Sequence, residues 1–98
     1  MHQPAIQLTP AETRARVAAL RAMSRAKESR FDAALDAFRE ALRLDPALKL
    51  ASIPDFWSLP NEGHDAAIEA YEREGREHDA AMLTAMRRRK FRPRLVNE

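Results

Sequence analysis

Phe31-Asp32-Ala33-Ala34-Leu35-Asp36-Ala37-Phe38-Arg39-Glu40-Ala41-Leu42-Arg43-Leu44-Asp45-Pro46 is the stretch that decides the fold. Phe31, Leu35, Phe38 and Leu42 recur at spacings of four, three and four, with Ala34 and Ala41 beside them. That period places one apolar stripe along a helix, opposite Asp32, Arg39 and Arg43. Asp45-Pro46 stops it, because a proline ring crowds the preceding residue out of the helical region. Ser29 followed by Asp32 is expected to open it.

Working outward, Thr9-Pro10-Ala11-Glu12 has the form of a capping box with proline at the first helical position. The helix it starts should run to about Glu28. Its face of Ala11, Ala15, Ala18, Ala22 and Ala26 is smooth enough for another helix to approach closely, and Val17, Leu20 and Ser24 form a second stripe. Residues 47–61 break the pattern with two prolines around the only tryptophan. A solvated linker would not carry Ile53, Phe56, Trp57 and Leu59, so this loop is expected to pack over an open end of the helices. A third helix fits Asn61 to Glu74, with His64, Ala67, Ile68 and Tyr71 inward, Glu62, Asp65, Glu69 and Glu72 outward, and Gly75 ending it. A fourth fits Glu77 to Lys90, with His78, Ala81, Met82, Ala85 and Met86 expected to face inward.

The sequence thus predicts an all-α protein of about four helices, arranged as two antiparallel hairpins with an aromatic and proline-rich loop between them. Residues 1–98 form a single domain, with 1–8 a flexible N-terminus and 91–98 a basic tail stiffened by Pro93. The length allows one modest core, thinned because much of the 45% apolar content is alanine. Arginine, glutamate, alanine and leucine dominate and favour helix; glycine occurs only twice. Cysteine is absent, which excludes disulfides, thiolate catalysis and cysteine-ligated zinc. Met1-His2-Gln3-Pro4 lacks the look of a signal peptide, and no apolar run approaches a membrane span, so a cytoplasmic location is expected. The net charge of +2 conceals segregation: residues 55–79 hold eight Asp/Glu against two Lys/Arg, and residues 80–98 hold six Lys/Arg against one Glu. Such polarity suits complementary surfaces within the molecule or between copies.

The stretch from Phe31 to Pro46 resembles the second helix of a tetratricopeptide repeat: an aromatic, small Ala34, aromatic Phe38, small Ala41, then proline. The first helix matches when one extra residue is allowed in the turn, which puts Val17, Leu20 and Ser24 at the family's core positions. A second, eroded copy follows. Pro93 lies 47 residues after Pro46, His78 falls opposite Phe31, Ala81 opposite Ala34, and Gly75 on the family's turn glycine. In that copy Ala85 replaces Phe38 and Arg88 replaces Ala41. The resemblance covers residues 14–46 well and 62–93 weakly, with a spacing longer than the usual 34-residue period.

That resemblance implies an interaction module that binds a protein or peptide on the surface of each hairpin's first helix. Carried over, this surface comprises Ala15, Ala18, Ala22, Arg25 and Ala26, then Glu62, Asp65, Glu69, Glu72 and Arg73. The lysines, arginine and asparagines with which the family clamps acidic carboxyl-terminal peptides are missing there. Because two hairpins leave an apolar end open, self-association is expected as well. The rival reading is nucleic-acid binding by Arg87-Arg88-Arg89-Lys90-Phe91-Arg92-Pro93-Arg94, six cations around one aromatic. Glu74 and His78 could be drawn as a metal pair, but no second ligand pair matches them, so His64 and His78 read as core or boundary residues. No paired carboxylates in a dry pocket, phosphate loop or nucleophile motif appears. Neither an enzyme nor a bound cofactor or metal is expected.

Overall fold

Reciprocal capping opens the first helix. In the computed structural model, which describes residues 8–90, the Thr9 N–H donates to Glu12 Oε1 at 2.8 Å and the Glu12 N–H donates to Thr9 Oγ1 at 3.1 Å. Helix α1 (Pro10–Lys27) therefore starts where the capping box puts it. It is followed by α2 (Phe31–Leu44), two 3₁₀ turns (Leu50–Ser52 and Phe56–Ser58), α3 (Asn61–Arg73) and α4 (Glu77–Lys90). The described residues contain no strand, and the fold is all-α, built of two antiparallel hairpins. The expected tail 91–98, and all of the expected flexible N-terminus except Leu8, lie outside the described residues.

Both hairpin turns are built alike. Ser29 takes φ +63° and Gly75 takes φ +78°. Beside Ser29, the Ser29 and Arg30 N–H groups donate to the Ala26 and Arg25 carbonyls at 3.0 and 2.8 Å. Beside Gly75, the Gly75 and Arg76 N–H groups donate to Glu72 and Tyr71 at 3.1 and 2.8 Å. These are Schellman-type closures, which satisfy the last carbonyls of a helix through one left-handed residue. Ser29 is thus the turn residue that ends α1 and not the cap of α2. Arg30 stands at that cap and makes no side-chain hydrogen bond there.

The matched turns set a structural offset of 46 residues between the hairpins, because Ser29 corresponds to Gly75. The 47-residue spacing taken from the two prolines is therefore one too long for α4. Under the structural offset Ala34 corresponds to Ala80 and Ala37 to Leu83, and these are the buried residues of α4. His78, Ala81, Met82 and Ala85, expected inside, are exposed. A one-residue slip rotates a helix by about 100°, enough to exchange its faces.

The first hairpin is sealed by alanine. Ala15, Ala18, Ala19, Ala22 and Ala26 of α1, and Ala34, Ala37 and Ala41 of α2, are all buried. Small side chains let the two backbones come close, and many weak dispersion contacts add up. Val17 and Leu20, expected in the core, are 49% and 56% exposed, and Ser24 is exposed too. One-sided packing selects one stripe of α1, and the alanine stripe wins.

The connector joins the two hairpins instead of covering an end. Phe56 sets its ring edge against Phe38 at a centroid distance of 6.4 Å and lies 5.1 Å from the His64 ring. The Tyr71 hydroxyl donates to the Leu48 carbonyl at 3.2 Å and accepts from the Leu50 N–H at 3.0 Å. Leu48, Leu50, Phe56 and Leu59 are buried, and Ile53 and Trp57 partly so. A Cβ on Gly63 would sit 3.2 Å from the Cβ atoms of both Ala26 and Leu59, so α3 crosses the first hairpin at close range. None of the described helices is long and apolar enough to cross a membrane.

Candidate interaction surface

Four residues expected to meet a partner are unavailable. Ala15, Ala18, Ala22 and Ala26 are buried within the first hairpin, so that part of the expected surface is core. Arg25 is half-buried beside them. A run of alanines suits either a close helix contact or a smooth groove, and only the position of α2 decides between them.

The acidic residues of α3 are on the surface as expected, but they are partly neutralised. Asp65 pairs with Arg87, whose guanidinium also donates to the Asn61 carbonyl at 3.3 Å. Glu69 pairs with Arg73 one turn on, at 2.6 Å. Glu62 and Glu72 are exposed. The basic end of α4 is similarly divided: Arg87 is engaged with α3, and the Lys90 ammonium lies 6.0 Å from the centre of the Trp57 ring. Arg88 and Arg89 are exposed, while Arg92 and Arg94 lie outside the described residues.

Two ion-pair clusters tie elements together. Glu74, at the second turn, accepts from Arg39 Nε at 2.9 Å and Arg43 Nε at 3.1 Å, both on α2. These hydrogen bonds hold its carboxyl below the usual range. Asp79 accepts from Arg76 at 2.8 Å and from Lys49 of the connector at 3.1 Å. Burial pushes the Asp79 carboxyl up, but these hydrogen bonds outweigh it and the carboxyl is held low. His64, buried under the connector, donates from Nε2 to the Phe56 carbonyl at 3.0 Å; burial lowers its proton affinity. His78 is exposed and not a core residue. Among the described residues no three His, Asp or Glu side chains converge as metal ligands would.

The uncovered apolar surface lies elsewhere. On α3, Gly63, Ala66 and Ala70 are buried on the side turned to the first hairpin. The 46-residue offset maps these positions onto Val17, Leu20 and Ser24 of α1, all three of them exposed. Of these, Val17 and Leu20 are the exposed apolar ones, with Leu20 beside Leu48, Ile53 and Pro54 of the connector. The corresponding groove at the far end, between α3 and α4, has a volume of about 560 Å³ and is lined by Glu72, Glu77, Ala80, Ala81, Thr84 and Arg88, among others. A further groove of about 290 Å³ runs between α4 and the connector, with Tyr71, Met82, Leu83 and Met86 in its walls.

The residues that matter here were visible in the sequence but assigned to the wrong side. α1 carries two apolar stripes, and its packing against α2 covers only the alanine one. Comparison with protein-family models, curated proteins and solved structures finds no match for this chain.

Proposed function

We propose that this chain is a small interaction module of tetratricopeptide-like build, which binds a protein partner through the uncovered face of α1. The observation that carries this reading is the exposure of Val17 and Leu20 at positions whose counterparts on α3 are covered by the first hairpin. Burying a valine or leucine fully is worth about 1.5–3 kcal/mol each, so this face has a substantial return to offer a partner. The strongly held carboxylates, Glu74 and Asp79, are occupied in joining elements, which supports a binding role over a catalytic one.

A photo-crosslinking residue placed at Leu20, with exposed Asp36 as the control position, tests the reading. Discrete protein adducts at Leu20 and none at Asp36 are expected. Equal labelling at both positions, or none at either, would count against it. Tight, salt-sensitive binding to generic DNA or RNA, abolished by Arg88→Ala with Arg89→Ala, would favour the nucleic-acid reading instead.

A further inference from the structure

We infer that the partner of the α1 face is a second copy of this chain, offering its α3–α4 groove, so that copies stack head to tail. This rests on the reading of α1 as an interaction face. Its template is the junction inside one copy, where α3 docks onto the first hairpin. There Gly63 approaches Ala26 of α1 closely, and Glu74 takes hydrogen bonds from Arg39 and Arg43 of α2. Moving that junction on by one hairpin puts Val17, Leu20 and Ser24 of the next copy in the places of Gly63, Ala66 and Ala70.

The sizes are reciprocal. Inside one copy the first hairpin carries Phe38, which meets Phe56 of the connector, and half-buried Leu35, while α3 enters with Gly63 against Ala26. On the α3–α4 side Thr84 and Ala81 stand where Phe38 and Leu35 do, in an open groove of about 560 Å³. The entering side is large, with Val17 and Leu20. A groove of smaller side chains thus faces a stripe of larger ones.

The charges match as well. Glu74 corresponds to Glu28 and Arg43 to Arg89, so the Arg43–Glu74 pair recurs as Arg89 of one copy with Glu28 of the next. Both are exposed, and among the described residues Glu28 makes a loose ion pair with its neighbour Arg30, at 3.7 Å. Arg14 and Arg21 flank Val17 at helical spacing, and the groove that would receive them is rimmed by Glu72 and Glu77. Arg39 corresponds to Ala85, so the junction between copies has one cation fewer than the internal one and is the weaker of the two. The two ends differ, so the contact is heterologous and chains of copies need not close.

Sedimentation equilibrium of the full chain, from micromolar to millimolar concentration, tests this. The expected result is a molar mass that keeps rising past that of a dimer, and rises less at high salt. Glu28→Arg and Arg89→Glu should each lower the association constant by roughly three- to tenfold, and combining them should restore most of it. Leu20→Asp should leave a monomer with unchanged helicity. A chain monomeric throughout, a dimer that stops growing, or a combined variant no better than the single ones would overturn the inference. A monomeric chain that still yields adducts to another protein at Leu20 would overturn this inference alone and leave the interaction reading standing.

Discussion

Ser29 and Gly75 occupy the same left-handed position in two turns 46 residues apart, with φ +63° and +78°. Glycine suits that conformation, whereas an L side chain is strained there by about 1–2 kcal/mol. Ser29→Gly is expected to stabilise the protein by up to about 1 kcal/mol, after the added chain entropy of glycine is offset. Gly75→Ala should destabilise by about 1 kcal/mol, through conformation alone, because nothing lies within 4 Å of its added Cβ. Urea unfolding of the two variants checks both signs.

Phe38 is fully buried and meets Phe56 edge to face. Phe38→Ala is expected to cost about 3–5 kcal/mol, because it removes the aromatic that links α2 to the connector and leaves a cavity. Phe38→Leu should cost less. Equilibrium denaturation that showed no difference between Phe38→Ala and the parent would contradict the placement of this side chain in the core.

Tyr71 holds the connector by its hydroxyl. Tyr71→Phe keeps the ring but strands the buried Leu50 N–H and the Leu48 carbonyl, at an expected cost of about 1–3 kcal/mol. Amide exchange read at Leu50 should accelerate more than exchange in the middle of α1.

His64 has a lowered folded-state pKa, chiefly through burial, against an ordinary value of 6.5. The unfolded chain therefore binds the proton more tightly, so the stability associated with neutral His64 is complete above pH 6.5 and declines as the pH falls toward the folded value. Glu74 acts in the same direction lower down, since Arg39 and Arg43 hold its carboxyl below the ordinary 4.5. Stability measured as a function of pH should show the first decline below pH 6.5. His64→Gln should flatten that part of the curve and leave the acid limb in place.

The face of α2 was legible from spacing alone because α2 is covered from both sides: α1 on one flank, the connector and α3 on the other. Its single wide stripe of Phe31, Ala34, Leu35, Phe38, Ala41 and Leu42 left no competing register. The capping box at Thr9 and Glu12 and the stop at Asp45-Pro46 were equally readable, since each acts on neighbouring backbone groups. α4 was different. Its apolar residues follow no single stripe, and its inward face of Ala80 and Leu83 emerges only once the second turn is superposed on the first.

Local interactions, which reach only a few residues along the chain, made the four described helices a property of the sequence by itself, and most of their ends, the cap of α2 excepted. Which stripe of α1 is core was settled by tertiary structure. Val17 and Leu20 satisfy the helical period as well as Ala15, Ala18 and Ala22 do, and hydrophobic burial has no direction until a neighbour supplies a surface. The approach of α2 to the alanines supplied it, and left the larger side chains to face outward.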